Sequence, residues 1–496
     1  MTQSKNSGKK LQFARGITGF VKLTVGTAFI FCSALTHAKT VYVNGTVAVS
    51  GKGTSWSNAY KYLRDALENS TDADEIFVAK GTYFPDDGKS GRFGDRELSF
   101  DLYGHKIYGG FTGNESQLSQ RNVQANPTIL SGAIWGQPSE DVYWSLHVVT
   151  IQANAILDGV IVENGHANGA DSWNYPNVTK YDEGGGCYVK AGSILTLSNS
   201  VFRNNRALSF GGAIMVENST SKVIASNCSF ENNRIPLDYG ITTSVPEGGA
   251  IKGNVKASYC KFIGNTVDAT NSITDTTSHG KGGAIAGDVT LDHCQFVGNE
   301  VTAFNKKPFA SGGAIQGNVV ATYCSFDANI STTSLEDGVS SGGAISGDSV
   351  SALNCSFSGN SSGSGIIKEA DGSGEGGGGA IYVTSGKSTL MNCVFVKNTS
   401  GVRGGAIHAD TVANSNSLSV YNSTFLDNGV ATGFKGSAIS CGGIVRLMNN
   451  IFWFSPPEED DFNRKNLIHV IIKGVLRNSL ENYPTQSTVA PNIVKG

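Results

Sequence analysis

The sequence predicts an all-β protein, a parallel β-helix solenoid with a short capping helix near its amino end. Two paired motifs and the composition argue for it. Eight times between residues 185 and 428, a strand start written Gly-Gly-Ala-Ile or close to it is answered by Phe-x-x-Asn. The starts stand at Gly185, Gly211, Gly248, Gly282, Gly312, Gly342, Gly378 and Gly404. The answering rings are Phe202, Phe230, Phe262, Phe296, Phe326, Phe357, Phe395 and Phe425, 28 to 38 residues apart. A degenerate ninth copy runs from Gly436-Ser437-Ala438-Ile439 to Phe452. That period signals a stacked array, because units this short and glycine-rich can bury a core only against their neighbours. The 63 glycines and a charged fraction of 16% suit a turn-dense β protein rather than a helical or disordered one.

In chain order, the first element is an export signal. Lys5, Lys9, Lys10, Arg15 and Lys22 precede an apolar run, Leu23 to Leu35, and Thr36-His37-Ala38 offers a small-residue cleavage site. Thirteen apolar residues are short for a membrane span, and no other stretch is long enough, so no transmembrane span is expected in the mature chain. Thr40 to Val43 and Glu75 to Ala79 read as strands. Between them, Trp56 to Asn69 has helical spacing with Tyr60, Leu63, Ala66 and Leu67 on one face, suited to cover the end of a solenoid. Less regular coils follow at Leu98–Leu102, Lys106–Phe111, Thr128–Leu130, His147–Ile151 and Ile156–Val162. The expected organisation is a signal over 1–38, a cap and irregular coils over 39–165, repeats over 166–455, and an acidic loop with a terminal strand segment, Leu467 to Val475, over 456–496.

One repeat, residues 248 to 265, carries three short strands. Ile251 opens the first, and Gly253-Asn254 turns the chain, as do Gly287-Asp288, Gly317-Asn318 and Gly347-Asp348 in the next coils. Val255 and Ala257 then alternate with polar residues as a half-buried strand. The inward parity changes before the phenylalanine, which demands a bend. Asn199, Asn227, Asn354, Asn392, Asn422 and Asn449 sit there, and asparagine tolerates the left-handed conformation. Tyr259, His293 and Tyr323 break that column. The closing asparagines are Asn205, Asn233, Asn265, Asn299, Asn329, Asn360, Asn398 and Asn428. After each comes a segment of variable length, the longest at 234–247, 266–281 and 361–377, read as loops on one edge where ligands bind.

Cys228, Cys260, Cys294, Cys324, Cys355 and Cys393 each stand two residues before the repeat phenylalanine and share its inward parity. Either they are free stacked thiols or neighbouring pairs are oxidised, since coils about 4.8 Å apart permit both. With no CxxC pair and no histidine in register, no metal and no cofactor are expected.

The alternating GGAI and FxxN motifs, with GGAI unaltered at 211–214, 248–251, 282–285, 312–315, 342–345, 378–381 and 404–407, resemble the polymorphic outer membrane proteins of chlamydiae and their relatives. Gly-Thr-Ser-Trp at 53–56 and Val-Ala-Lys-Gly-Thr-Tyr at 78–83 are similar to the entry module of secreted, pectin-lyase-like right-handed β-helix proteins. The resemblance implies a right-handed coil, a location that is secreted or at the cell surface or outer membrane, and an adhesin-like role. The chain departs from those relatives after Phe452, where 44 residues cannot supply an outer-membrane barrel.

The expected function is therefore a non-catalytic surface protein that binds a host-surface or glycan ligand. A net charge of −3 without a basic stripe argues against nucleic acid. The alternative is a polysaccharide lyase or glycoside hydrolase, which the pectin-lyase-like resemblance admits. Against it, the position after the repeat isoleucine, expected to face outward, reads Met215, Lys252, Ala286, Gln316, Ser346, Tyr382 and His408, with no carboxylate. Asp288 and Asp348 read as turn residues. The best acidic grouping is Asp182 and Glu183 beside the loop 166–183, with Glu163 and His166 nearby. Trp173 and Tyr175 stand in that loop as rings for a sugar, so Trp173, Tyr175, Asp182 and Glu183 form the candidate glycan contact.

Overall fold

The computed structural model describes residues 38–88, 95–134, 144–169, 179–236, 245–269, 278–304, 308–333, 338–363, 376–410, 417–431, 436–442, 444–453 and, for the backbone, 468–470. The expected export signal, Trp173, Tyr175, the acidic run at 458–461 and most of the terminal segment lie outside these residues.

The described chain is a right-handed parallel β-helix in which every strand pair is parallel. Each coil begins in a 12-stranded sheet holding the repeat isoleucines, the isoleucine sheet. After the Gly-Asn turn it enters a 13-stranded turn sheet, and then a 12-stranded phenylalanine sheet. These three sheets run through residue 165 without a break, from the strands Thr40–Val43, Gly81–Tyr83 and Phe100–Tyr103 onward. One hydrophobic core runs inside them from Val41 to Cys441.

Register is strict. Phe230 pairs with Phe262, Phe262 with Phe296 and Phe296 with Phe326. From Phe230 to Phe452 successive rings lie 4.6–4.9 Å apart, the rung spacing of the sheet. Beside them runs a buried asparagine ladder. Asn265 donates from Nδ2 to Oδ1 of Asn299 (2.9 Å) and to the Phe230 carbonyl (2.9 Å), while its own Oδ1 accepts from Asn233. The pattern repeats from Asn205 to Asn398, and Asn428 ends the ladder, accepting from Asn398 and donating to the Phe395 carbonyl.

The bend between the turn sheet and the phenylalanine sheet is left-handed in all nine coils, with φ from +48° at Asn199 to +56° at Asn449. Tyr259, His293 and Tyr323 adopt it too, with φ +52° to +54°. Their rings stack at 4.8 Å, which offsets the strain of a non-glycine residue in that region. Where asparagine is kept, Asn227 donates to Asn199 and Asn392 to Asn354. A second left-handed residue precedes each closing asparagine, whether Gly298, Ala328 or Lys397.

The Gly-Gly pair has two separate reasons. The first glycine is left-handed, φ +60° at Gly211 and +64° at Gly282. A Cβ on the second, as at Gly283, would overlap the carbonyl oxygen of Gly313 in the next coil. In the first repeat the left-handed glycine is Gly184, not Gly185, because Cys187 pairs with Ile214 and occupies the isoleucine place.

Several sequence expectations need correction. The helix expected over Trp56–Asn69 is a 3-10 turn, Trp56–Asn58, followed by a shorter helix α1, Leu63–Glu68. The chain between them is extended because Tyr60 hydrogen-bonds to Tyr42 and Asn44, covering the edge of the first strand. Leu63, Ala66 and Leu67 of α1 are buried in the core with Val41 and Val43, as a cap requires. The segment Ile156–Val162 is two strands, Ala155–Asp158 and Val160–Glu163, broken at Gly159 with φ +74°. Of the terminal segment, Ile468–Val470 pairs with Ile439–Cys441 as a strand.

The largest departure concerns the variable segments. After the closing asparagine the chain enters a fourth, nine-stranded sheet, so a coil has four strands rather than three. In three consecutive coils it then doubles back as a fifth, at His279–Lys281, Phe309–Ser311 and Val339–Ser341. Val267, Ala269, Val301, Ala303 and Ala310 form a second small core between outgoing and returning strands. The expected loop 266–281 is thus part of a β fin projecting from the solenoid.

Candidate functional site

The fin's returning strands and the isoleucine sheet enclose a groove of about 400 Å³. Its floor holds Gln316 and Ser346, its fin wall holds Lys281, Phe309 and Ser311, and its far rim is the turn column Asp288, Asn318 and Asp348. The floor residues stand at the strand position expected to face outward. They do so, but Met215, Ala286, Ser346, Tyr382 and His408 in that column are buried, and Lys252 and Gln316 are half-buried. Over the fin coils, the returning chain stands beside this face and turns it from an open surface into a groove.

The rim acids hold the coils together. Asp288 Oδ1 accepts from the Asn318 backbone N–H (3.0 Å), and Asn318 Oδ1 accepts from the Ser349 N–H (3.0 Å). Asp348 accepts from the hydroxyls of Ser385 (3.0 Å) and Thr384. Gly287 reaches φ +152° in this turn, and a Cβ there would overlap the Gly253 carbonyl, so glycine keeps the groove edge as bare backbone. At one end Glu247 is buried between Lys252 and Lys281, with Lys281 Nζ at 2.9 Å. Burial alone would raise its carboxyl, but the two ammonium groups outweigh that and hold it below the usual range. Two lysines against one glutamate leave a net positive charge and spare N–H donors at that end.

Of the sequence-predicted contact, Asp182 and Glu183 are described. Asp182 ends a 3-10 turn and accepts from Ser209 Oγ (2.7 Å), and burial pushes its carboxyl up. Glu183 pairs through its backbone with Phe210 and lies near Tyr188, whose hydroxyl is held far up by burial, then by Glu217 and Glu183. Glu163 is on the phenylalanine sheet, paired with Arg203 at 2.7 Å, and His166 is buried in the fourth sheet. Trp173 and Tyr175, the rings expected beside these acids, lie outside the described residues.

The six stacked cysteines are free and buried, which decides between the two states open from sequence. Each thiol donates to the carbonyl two residues earlier, as Cys260 does to Ser258 (3.3 Å). Neighbouring thiols push one another in opposite directions, Cys260, Cys324 and Cys393 up and Cys228, Cys294 and Cys355 down. Each protonated thiol favours an anion beside it, but with the whole column buried the neutral form prevails. They are core residues. No group of metal-ligating side chains occurs among the described residues.

Sequence reasoning missed Phe309, Lys281 and the Glu247–Lys252 pair. The available signal was the period-2 alternation after the closing asparagine, in Thr266-Val267-Asp268-Ala269 and Glu300-Val301-Thr302-Ala303.

The family model of the Chlamydia polymorphic membrane protein repeat matches residues 199–217, 354–384 and 392–410. Each match starts at a left-handed corner asparagine, includes Phe-x-x-Asn, and ends just beyond the next isoleucine strand. Three stretches of the chain are thus similar to that repeat, each in the same place within its coil. No curated protein matches it.

Proposed function

We propose that this protein is exported to the cell surface, where the fin groove binds an extended glycan without transforming it. The observation that carries this is the groove's lining: a half-exposed Phe309 ring with the Ser311 hydroxyl on its own wall, and amide groups of Gln316 and Asn318 on the floor and far rim. A flat apolar ring with a few convergent neutral donors and acceptors suits a sugar. The groove lies along the stack, so successive sugars of an extended glycan would meet a new set of floor, wall and rim side chains every rung, about 4.8 Å apart. The carboxylates at the rim are occupied by backbone and hydroxyl donors of neighbouring coils, which favours binding over acid–base chemistry.

A glycosidase is the second reading, favoured by one observation. Asp288 and Asp348 lie two rungs apart, about 10 Å, near the upper end of the separation that inverting enzymes use. A glycan array followed by a reducing-end assay separates the two. Binding without new reducing ends is expected, with Phe309→Ala weakening it roughly tenfold. Cleavage that disappears in the Asp288→Asn and Asp348→Asn variants would establish the enzyme, and no glycan binding at all would remove both readings.

A further inference from the structure

The outer faces of the turn and phenylalanine sheets change character along the stack. In the coils around residues 255 to 327 the positions flanking the corner are mixed, with Lys256, Ser258, Lys261, Asp292, Gln295 and Asp327 beside the exposed Ile263 and Val320. In the later coils the matching positions carry Leu353, Met391, Val394, Met448, Ile451 and Trp453, all classed as exposed. Met448 is 57% exposed, Ile451 47% and Trp453 42%. Leu353, Met391 and Val394 belong to coils before the last one, so their exposure does not come from the end of the stack. Single exposed apolar residues need no explanation, but exposed apolar residues in three of these four coils, with Tyr421 and Leu426 half-buried in the coil between, form a patch, a broken ridge, that marks an interaction surface.

We propose that this ridge rests on an anionic lipid surface. Three observations select that occupant. Among the described residues, Lys387, Lys397 and Arg446 border the ridge with one acid, Asp427. The backbone beneath the ridge is already paired in parallel ladders, so a medium offering no hydrogen bonds leaves nothing orphaned. The apolar residues are Met, Val, Ile and Leu around one Trp, the composition of an interfacial membrane face, whereas protein hot spots are dominated by Trp, Tyr and Arg. The corner asparagines between them bond to one another, as Asn449 does to Asn422 (3.2 Å), which suits shallow seating at headgroup depth.

The test is co-sedimentation of the full chain with vesicles of phosphatidylcholine, with and without phosphatidylglycerol. Association with the anionic vesicles is expected, falling as salt rises. The double variant Met448→Glu with Ile451→Glu lowers it roughly tenfold or more. The exposed pair Lys387→Glu with Lys397→Glu lowers it at least about fivefold and carries the test should the first variant melt early by circular dichroism. Equal binding to neutral vesicles, no binding to either, or variants that sediment like the parent would overturn the proposal. So would a dimer in light scattering that Met448→Glu with Ile451→Glu dissolves, because the ridge would then serve a second copy.

Discussion

The coils from Gly248 to Gly347 and those from Asn354 to Trp453 share one interior and have opposite exteriors. Inside, both stack phenylalanine on phenylalanine and asparagine on asparagine at one rung per coil. Outside, the first set builds a fin, a groove and a Tyr-His-Tyr corner, whereas the second has no fin strands among the described residues and exposes an apolar ridge. The interior is constrained because every buried group there touches its copy above and below. A substitution in one coil leaves two neighbours wrong. The exterior answers to solvent and ligand, so it is free to diverge coil by coil.

The interior half of this comparison breaks with the largest effect. Asn299→Leu removes partners from the Asn265 amide, the Phe262 carbonyl and the Asn329 carbonyl oxygen at once. A loss of about 3–6 kcal/mol is expected in chemical denaturation. Asn398→Leu in the other half should cost the same within experimental error. Unequal losses would mean the two interiors are not equivalent.

The fin half alone should respond to acid. The Glu247 carboxyl is held below its ordinary range by Lys252 and Lys281, so the ion pairs stabilise the fold above the unfolded glutamate pKa of about 4.3. That contribution disappears as pH falls through and below that value. Hydrogen exchange at His279–Lys281 should accelerate on acidification by the equivalent of about 1–2 kcal/mol, with little change at Lys387–Met391. Glu247→Gln should flatten the difference. An equal response in both segments would show that Glu247 is not its source.

The corner gives the smallest effects and sharpens the contrast between exteriors. His293→Asn relieves left-handed strain but gives up two ring stacks, so its stability should stay within about 1 kcal/mol of the parent. Asn392→His has no aromatic neighbours to stack on and should cost about 1 kcal/mol. If both substitutions destabilise equally, the aromatic stack does not compensate the strain at Tyr259, His293 and Tyr323.

Much of the interior was legible before any coordinates. Phe, Cys and the closing Asn recur at fixed offsets, and a repeated offset in a solenoid is a column, since each coil must sit on the last. The left-handed corner was legible wherever asparagine marked it. It was obscured at Tyr259, His293 and Tyr323, where the compensating contact lies about 30 residues away in the next coil. The candidate site was far less legible. Asp182 and Glu183 are adjacent in the chain yet turn to different neighbours, Ser209 and the region of Tyr188.

Residue identity repeated at constant spacing thus determined the coil, its inward face and the order of its turns, because those are local choices copied many times. Tertiary structure alone decided that three variable segments would fold back as a fin, that their walls would enclose Gln316 and Phe309, and that α1 would be short. Those outcomes depend on strands meeting others well beyond their local window, as His279 meets Phe309 a coil later and Tyr60 meets Tyr42, and no local pattern records such a partner.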